Sequence, residues 1–162
     1  MTAITVSRVS LPSGCCHVGL RPCLITTTLG SCVAVCLYDP VSALGGMNHF
    51  VLPRAPAGSG RDARFGDVAI GELVTKLEAS GCRIADLTAK MFGGANAMWS
   101  DTDSLFATGP RNVALAREEL TRLGIPILAE RVGGQTGIYL EMESWSGAIR
   151  LRPIAKTMGS GA

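Results

Sequence analysis

An α/β (α+β) fold, with mixed sheets and two main helices packed on them, is what the order of hydrophobic patterns predicts. The first third of the chain holds apolar runs of strand character, and the helical period appears twice after residue 66. Further strand-like runs follow each helix, and Gly, Pro and Ser mark the breaks.

Taken in order, "AITVSRV" alternates, "CLITTTL" and "CVAVCLY" are β-branched or continuously apolar, and "GGMNHFVLP" ends at a proline that can close a strand. These four runs read as adjacent strands of one sheet. Residues 54–66, "RAPAGSGRDARFG", have the composition of an exposed loop. From Asp67 onward, Val68, Leu73, Val74 and Leu77 share one helical face, and Gly81 lies just past the end. "IADLTAKMF" returns to a strand and runs into "GGAN". A second helix from about Arg111 aligns Val113, Ala116, Leu120 and Leu123 and stops at Gly124-Ile125-Pro126. "PILAERV", "GIYLEME" and "GAIRLRPI" supply three more strands.

A chain of 162 residues with 47% hydrophobic content can bury a core without metal or disulfide staples. We expect one domain over residues 1–154 and a disordered tail over 155–162. Fifteen basic and 13 acidic residues, spread along the chain for a net charge of +2, form no basic stripe, so nucleic acid is not an expected partner. No apolar run approaches the roughly 20 residues that span a bilayer, and the N-terminus alternates instead of forming a signal-peptide core. The expectation is a soluble, cytoplasmic protein without membrane insertion.

Cys15, Cys16, Cys23, Cys32, Cys36 and Cys82 are scattered through apolar segments of a chain with no secretion signal, so reduced thiols are expected. Neither Cys32-x3-Cys36 nor Cys15-Cys16-His17 comes with a second ligand pair at zinc spacing, and no metal is expected. Along a strand, Cys32 and Cys36 share a face. What separates them is Gly30-Ser31, which leaves the Cys32 sulfur and N–H approachable, whereas Cys36 sits between Val35 and Leu37. Free cysteine is more often core than catalyst, so this residue needs a partner. His49, 17 residues on in an apolar strand, is the candidate, because an imidazole beside a thiol can support the thiolate and shuttle a proton. Pairing with imidazolium would lower the Cys32 pKa. His17, in the turn-like "GCCHVGL", has the weaker case. Thr26 to Thr28 read first as strand formers, and a hydroxyl there could instead orient the imidazole or bind an oxyanion.

In their order and spacing, "TTTLGSCVAVCLYDP", "GGMNHFVLP", "RFGDVAIGELV", "AKMFGGANAM", "PRNV" and "ILAERVGG" resemble the chemoreceptor glutamine deamidase family of bacterial chemotaxis, CheD. The resemblance runs from about Leu24 to Gly134. It implies a single-domain α/β/β layered sandwich similar to toxin-type cysteine deamidases, with a Cys, His, Thr catalytic set. The nucleophile falls on Cys32, the histidine on His49, and the threonine, six residues before the cysteine, on Thr26. The implied substrate is a glutamine side chain on a cytoplasmic helix of a chemoreceptor, and the implied partner of some members is a CheC-type phosphatase. The sequence departs from the family pattern at Gly133-Gly134, where Val132 replaces a common acidic residue and "QTGIY" follows without the usual arginine.

The chemistry implied needs no cofactor. Cys32 attacks the carboxamide carbon, His49 donates to departing ammonia, and water hydrolyses the thioester. The Cys32 N–H, left open by Gly30, is the first oxyanion donor to consider, with the Ser31 or Thr26 hydroxyl as alternatives, while Gly45, Gly46, Gly93 and Gly94 would let a substrate backbone approach closely, although glycine pairs are more often plain turns. Two rival functions remain, separable by product: a non-catalytic module regulating a phosphatase or receptor, which releases no ammonia, and a receptor glutamyl methylesterase, which releases methanol.

Overall fold

The computed structural model describes residues 5–96 and 107–154. Among these residues nine strands form two sheets. One, called outer here, contains β1 (Ser7–Ser10), β3 (Cys23–Leu29), β8 (Ile138–Glu143) and β9 (Ile149–Pro153) in the order β1-β3-β8-β9. The inner sheet contains β2 (Cys16–Val18), β4 (Val33–Asp39), β5 (Leu44–Asn48), β6 (Thr88–Gly93) and β7 (Ile127–Val132) in the order β2-β5-β4-β6-β7. Each sheet is mixed, with one parallel pair, β1 with β3 and β6 with β7.

Helices α1 (Gly66–Ala79) and α2 (Thr108–Leu123) cover one face of the inner sheet. Val33, Val35, Leu37 and Phe50 point to that side and pack against Ile70, Leu73, Leu77 and Leu120. On the other face Ala34, Cys36, Met47 and Phe92 meet Ile25, Leu29, Leu140 and Met142 of the outer sheet. Because side chains alternate along a strand, β4 feeds both cores at once, and its unbroken apolar run is the signature of a strand buried on both faces. The layers are therefore α/β/β, as the resemblance implies. No helix among the described residues is long and apolar enough to cross a membrane.

Three expectations need correction. The first four strand-like runs do not lie in one sheet: β3 belongs to the outer sheet and β4 to the inner, and the chain crosses between them at Gly30-Ser31. "GCCHVGL" contains a strand, β2, which pairs antiparallel with β5 (Cys16 opposite Asn48, Val18 opposite Gly46); its three residues are too few to show a period. Residues 84–86 form a 3₁₀ turn, so β6 starts only at Thr88. The helices stand where the periodicity predicts, with α2 starting three residues earlier and ending at Gly124 in the left-handed conformation. The expected tail at 155–162 lies outside the described residues.

Candidate active site

The crossing from β3 to β4 exposes Gly30 and Ser31 and leaves Cys32 half-buried at the edge of the core between the sheets. Three successive carbonyls of this corner are held. Gly30 O accepts from Ala95 N–H (2.9 Å), Ser31 O from the Asn112 side-chain amide (3.1 Å), and Cys32 O from Gly94 N–H (2.8 Å). The Cys32 N–H is turned toward its own sulfur.

His49 follows β5. The β4–β5 ladder runs from Asp39 opposite Leu44 to Cys36 opposite Met47, lapses, and resumes as a bridge between Val33 and Phe50 in the same register. The lapse has a cause in Asn48, which is fully buried and whose Oδ1 takes the Val35 N–H at 2.8 Å in place of a backbone carbonyl. His49 is released from β4 and bonds instead to the segment before β2: its N–H donates to Cys15 O (3.1 Å) and its carbonyl accepts from Gly14 N–H (2.7 Å). The register sets His49 opposite Ala34 and diagonal to Cys32 on the face toward the outer sheet. Diagonal pairs of this kind have Cα atoms about 7–8 Å apart, within the joint reach of a thiol and an imidazole.

The threonine facing His49 is Thr27, not Thr26. Thr27 Oγ1 lies 2.8 Å from His49 Nδ1 and 2.8 Å from the Leu11 carbonyl oxygen. A carbonyl can only accept, and the hydroxyl has one proton, so Thr27 donates to Leu11 and accepts from His49. That assignment puts the imidazole proton on Nδ1 and leaves Nε2 with a free lone pair. Thr26 belongs to the opposite face of β3, where it pairs with Ser10 and Glu141. The reason is strand parity: Ile25 and Leu29 are buried in the core between the sheets, so Thr27 between them faces inward and Thr26 outward. Thr27→Ala is therefore expected to lower turnover about 100-fold through loss of the imidazole's orientation, while Thr26→Ala changes it by about twofold or less. Initial-rate measurements on the two variants decide it, and equal effects would remove Thr27 from the site.

Burial pushes the Cys32 thiol pKa up, only partly offset by its own N–H, and pushes the His49 imidazole down. Both shifts favour the uncharged forms. The directions run against the expected thiolate with imidazolium, because desolvation penalises the charged form of each group.

Gly93 and Gly94 also need re-reading. Both are buried with positive φ (104° and 67°), and a side chain at Gly93 would overlap the Cys32 carbonyl, while one at Gly94 would overlap Val113. Their missing side chains admit the protein's own corner, not a substrate backbone. Gly133 N–H donates to Gly93 O (2.9 Å), so the second glycine pair braces the first. A cleft of about 180 Å³ lined by Gly93, Val132, Gly133, Thr136 and Ile138 opens at this end of the sandwich. The strand order puts it on the β6–β7 side of Cys32 and His49 on the β5 side. His17, on β2, stands opposite Met47 of β5. Among the described residues no cluster of three metal-ligating side chains occurs.

The model of a family described as CheD, chemotactic sensory transduction, matches residues 51–153. The chain belongs to the CheD family. A relative in Rhodospirillum rubrum, named a probable chemoreceptor glutamine deamidase CheD, is 43% identical over 146 residues, 89% of this chain and 81% of its own. One from Sulfurimonas denitrificans with the same name is 39% identical over 86% of this chain and 90% of its own. A third, CheD 1 of Anaeromyxobacter dehalogenans, is 42% identical over 91% and 85%. The CheD family match begins two residues after His49, so Cys32, Thr27 and His49 lie outside it and their assignment rests on the geometry above.

Proposed function

We propose that the protein deamidates glutamine side chains of chemoreceptors to glutamate, as the names of its CheD relatives say of those proteins. The observation that carries this reading is the Cys32 corner, where an exposed turn presents a thiol diagonal to an imidazole whose free nitrogen is set by Thr27. The Cys32 sulfur attacks the carboxamide carbon as its proton passes to His49 Nε2. The oxyanion that forms is met by the Cys32 N–H, and His49 returns the proton to the amide nitrogen, which leaves as ammonia. Water adds to the thioester, His49 takes one of its protons, and the carboxylate and thiol are released. The cleft beside Gly93 is where the glutamine side chain enters, with the leaving nitrogen toward His49. No cofactor enters the scheme. The reaction belongs in the cytoplasm with the receptor's signalling helices, and a CheC-type phosphatase as regulator is supported by the family resemblance.

Mass spectrometry of a receptor fragment incubated with the protein tests the reading. A gain of about one mass unit at specific glutamines, with equimolar ammonia, is expected. Methanol from a methylated receptor without ammonia would identify a methylesterase, and no product of either kind would favour a regulatory module.

A further inference from the structure

We infer that Asn112 is a positioning residue that aims the Cys32 N–H at the oxyanion, an inference that rests on Cys32 being the nucleophile. Asn112 lies in the second turn of α2, on the helix-covered side of the inner sheet, and is fully buried. Its Nδ2 donates to two carbonyls on different segments: Ser31 O at 3.1 Å and Val51 O at 2.9 Å. Two acceptors facing one end of the amide establish that this end is the NH₂ group. Its Oδ1 has no partner among the described residues. A buried amide with an unpaired oxygen opposes folding, and an apolar side chain in the same space would not carry that cost. What the asparagine supplies in return is the double clamp.

The clamp acts through a planar peptide. Ser31 C=O and Cys32 N–H belong to one trans unit and point in opposite directions, so holding the carbonyl toward α2 turns the N–H away from the helices. That is the side on which Cys32 packs, against the cluster between the two sheets. An attacked carbonyl bound at the sulfur would place its oxygen beside this N–H. The second carbonyl sets the distance to the base, because Val51 is two residues past His49 and stands opposite Cys32 in the continuing register. One side chain therefore ties the strand end that carries the nucleophile to the strand end that carries the imidazole.

The test separates aim from access, using the full-length protein, a receptor fragment and an ammonia assay. Alkylation of Cys32 by iodoacetamide needs an accessible sulfur but no oxyanion donor. Asn112→Ala is expected to lower kcat about 100-fold or more, with KM and the Cys32 alkylation rate at pH 9 each within about threefold of the parent protein. Asn112→Asp provides a second reading should the alanine variant unfold. A buried aspartic acid can donate one hydrogen bond only while protonated, so its activity relative to the parent protein should be highest at the acid end and fall as pH rises through its carboxyl titration. A folded Asn112→Ala protein with unchanged kcat would overturn the inference. So would alkylation falling in step with kcat, or an Asn112→Asp to parent ratio that is flat with pH. Cys32→Ala is run beside them: if it keeps activity, the reading of Cys32 fails, whereas if it is dead and Asn112→Ala is fully active, only the role of Asn112 fails.

Discussion

Cys32→Ala is expected to abolish ammonia release from receptor substrate, a loss on the order of 10⁶-fold that reaches the background rate, while the protein stays folded. Folding survives because Cys32 is only half-buried at the edge of the core between the sheets, and its backbone carbonyl, not its sulfur, carries the contact to Gly94. The thiol itself should betray its environment. Because burial raises its pKa, alkylation by iodoacetamide is slow at pH 6.5 and climbs with pH past the range of an ordinary exposed cysteine. Cys36, fully buried and shifted in the same direction by desolvation, labels only after denaturation. Mass-spectrometric mapping of the labelled thiols across pH is the measurement. Rapid labelling of Cys32 at pH 6.5 would mean that the resting pair is thiolate and imidazolium after all.

His49→Ala is expected to lower kcat/KM by about 10²- to 10⁴-fold and to change the form of the pH profile. In the parent protein the imidazole must be neutral to accept the thiol proton, so activity falls as pH drops through a His49 pKa that burial holds below the usual 6.5. The acid limb should therefore lie below pH 6.5. Without the imidazole that limb disappears, and the residual rate rises with pH as free Cys32 thiolate accumulates. A folded His49→Ala protein that retained the parent profile would exclude His49 as the base. Thermal melting should accompany the assay, since His49 is also bonded through Thr27 to Leu11.

Much of this arrangement is legible in the chain. The run from Val33 to Tyr38 announces a strand buried on both faces, the two amphipathic stretches announce α1 and α2, and Gly30-Ser31 before Cys32 marks a thiol with an open approach at a strand start. Thr27 was also within reach of a reading by parity. Ile25 and Leu29 declare the buried face of β3, and Thr27 shares it, whereas the six-residue spacing drawn from the family resemblance pointed to Thr26. Asn48 and Asn112 gave no comparable signal, because a lone asparagine in an apolar run reads as a surface position until its neighbours in space are known.

Local pattern thus determines which segments are strands or helices, and the rise of hydrophobic residues at period two or 3.6 is enough for that, since each depends on side chains a few positions apart. It also determines that Cys32 and His49 are the reactive residue types in strand settings. Which sheet each strand joins was decided only by tertiary structure. β3 and β4 read as neighbours, yet the chain turns between layers at Gly30, and this crossing is what brings Thr27 of one sheet against His49 of the other. The N-terminal segment, silent as sequence, supplies Leu11, Gly14 and Cys15 to hold the threonine and the histidine through backbone groups. Backbone carbonyls and N–H groups are the same in every residue, so contacts made through them leave no mark in composition or spacing. The pKa shifts of Cys32 and His49 likewise follow from burial by distant segments, which desolvates both groups and favours their uncharged forms.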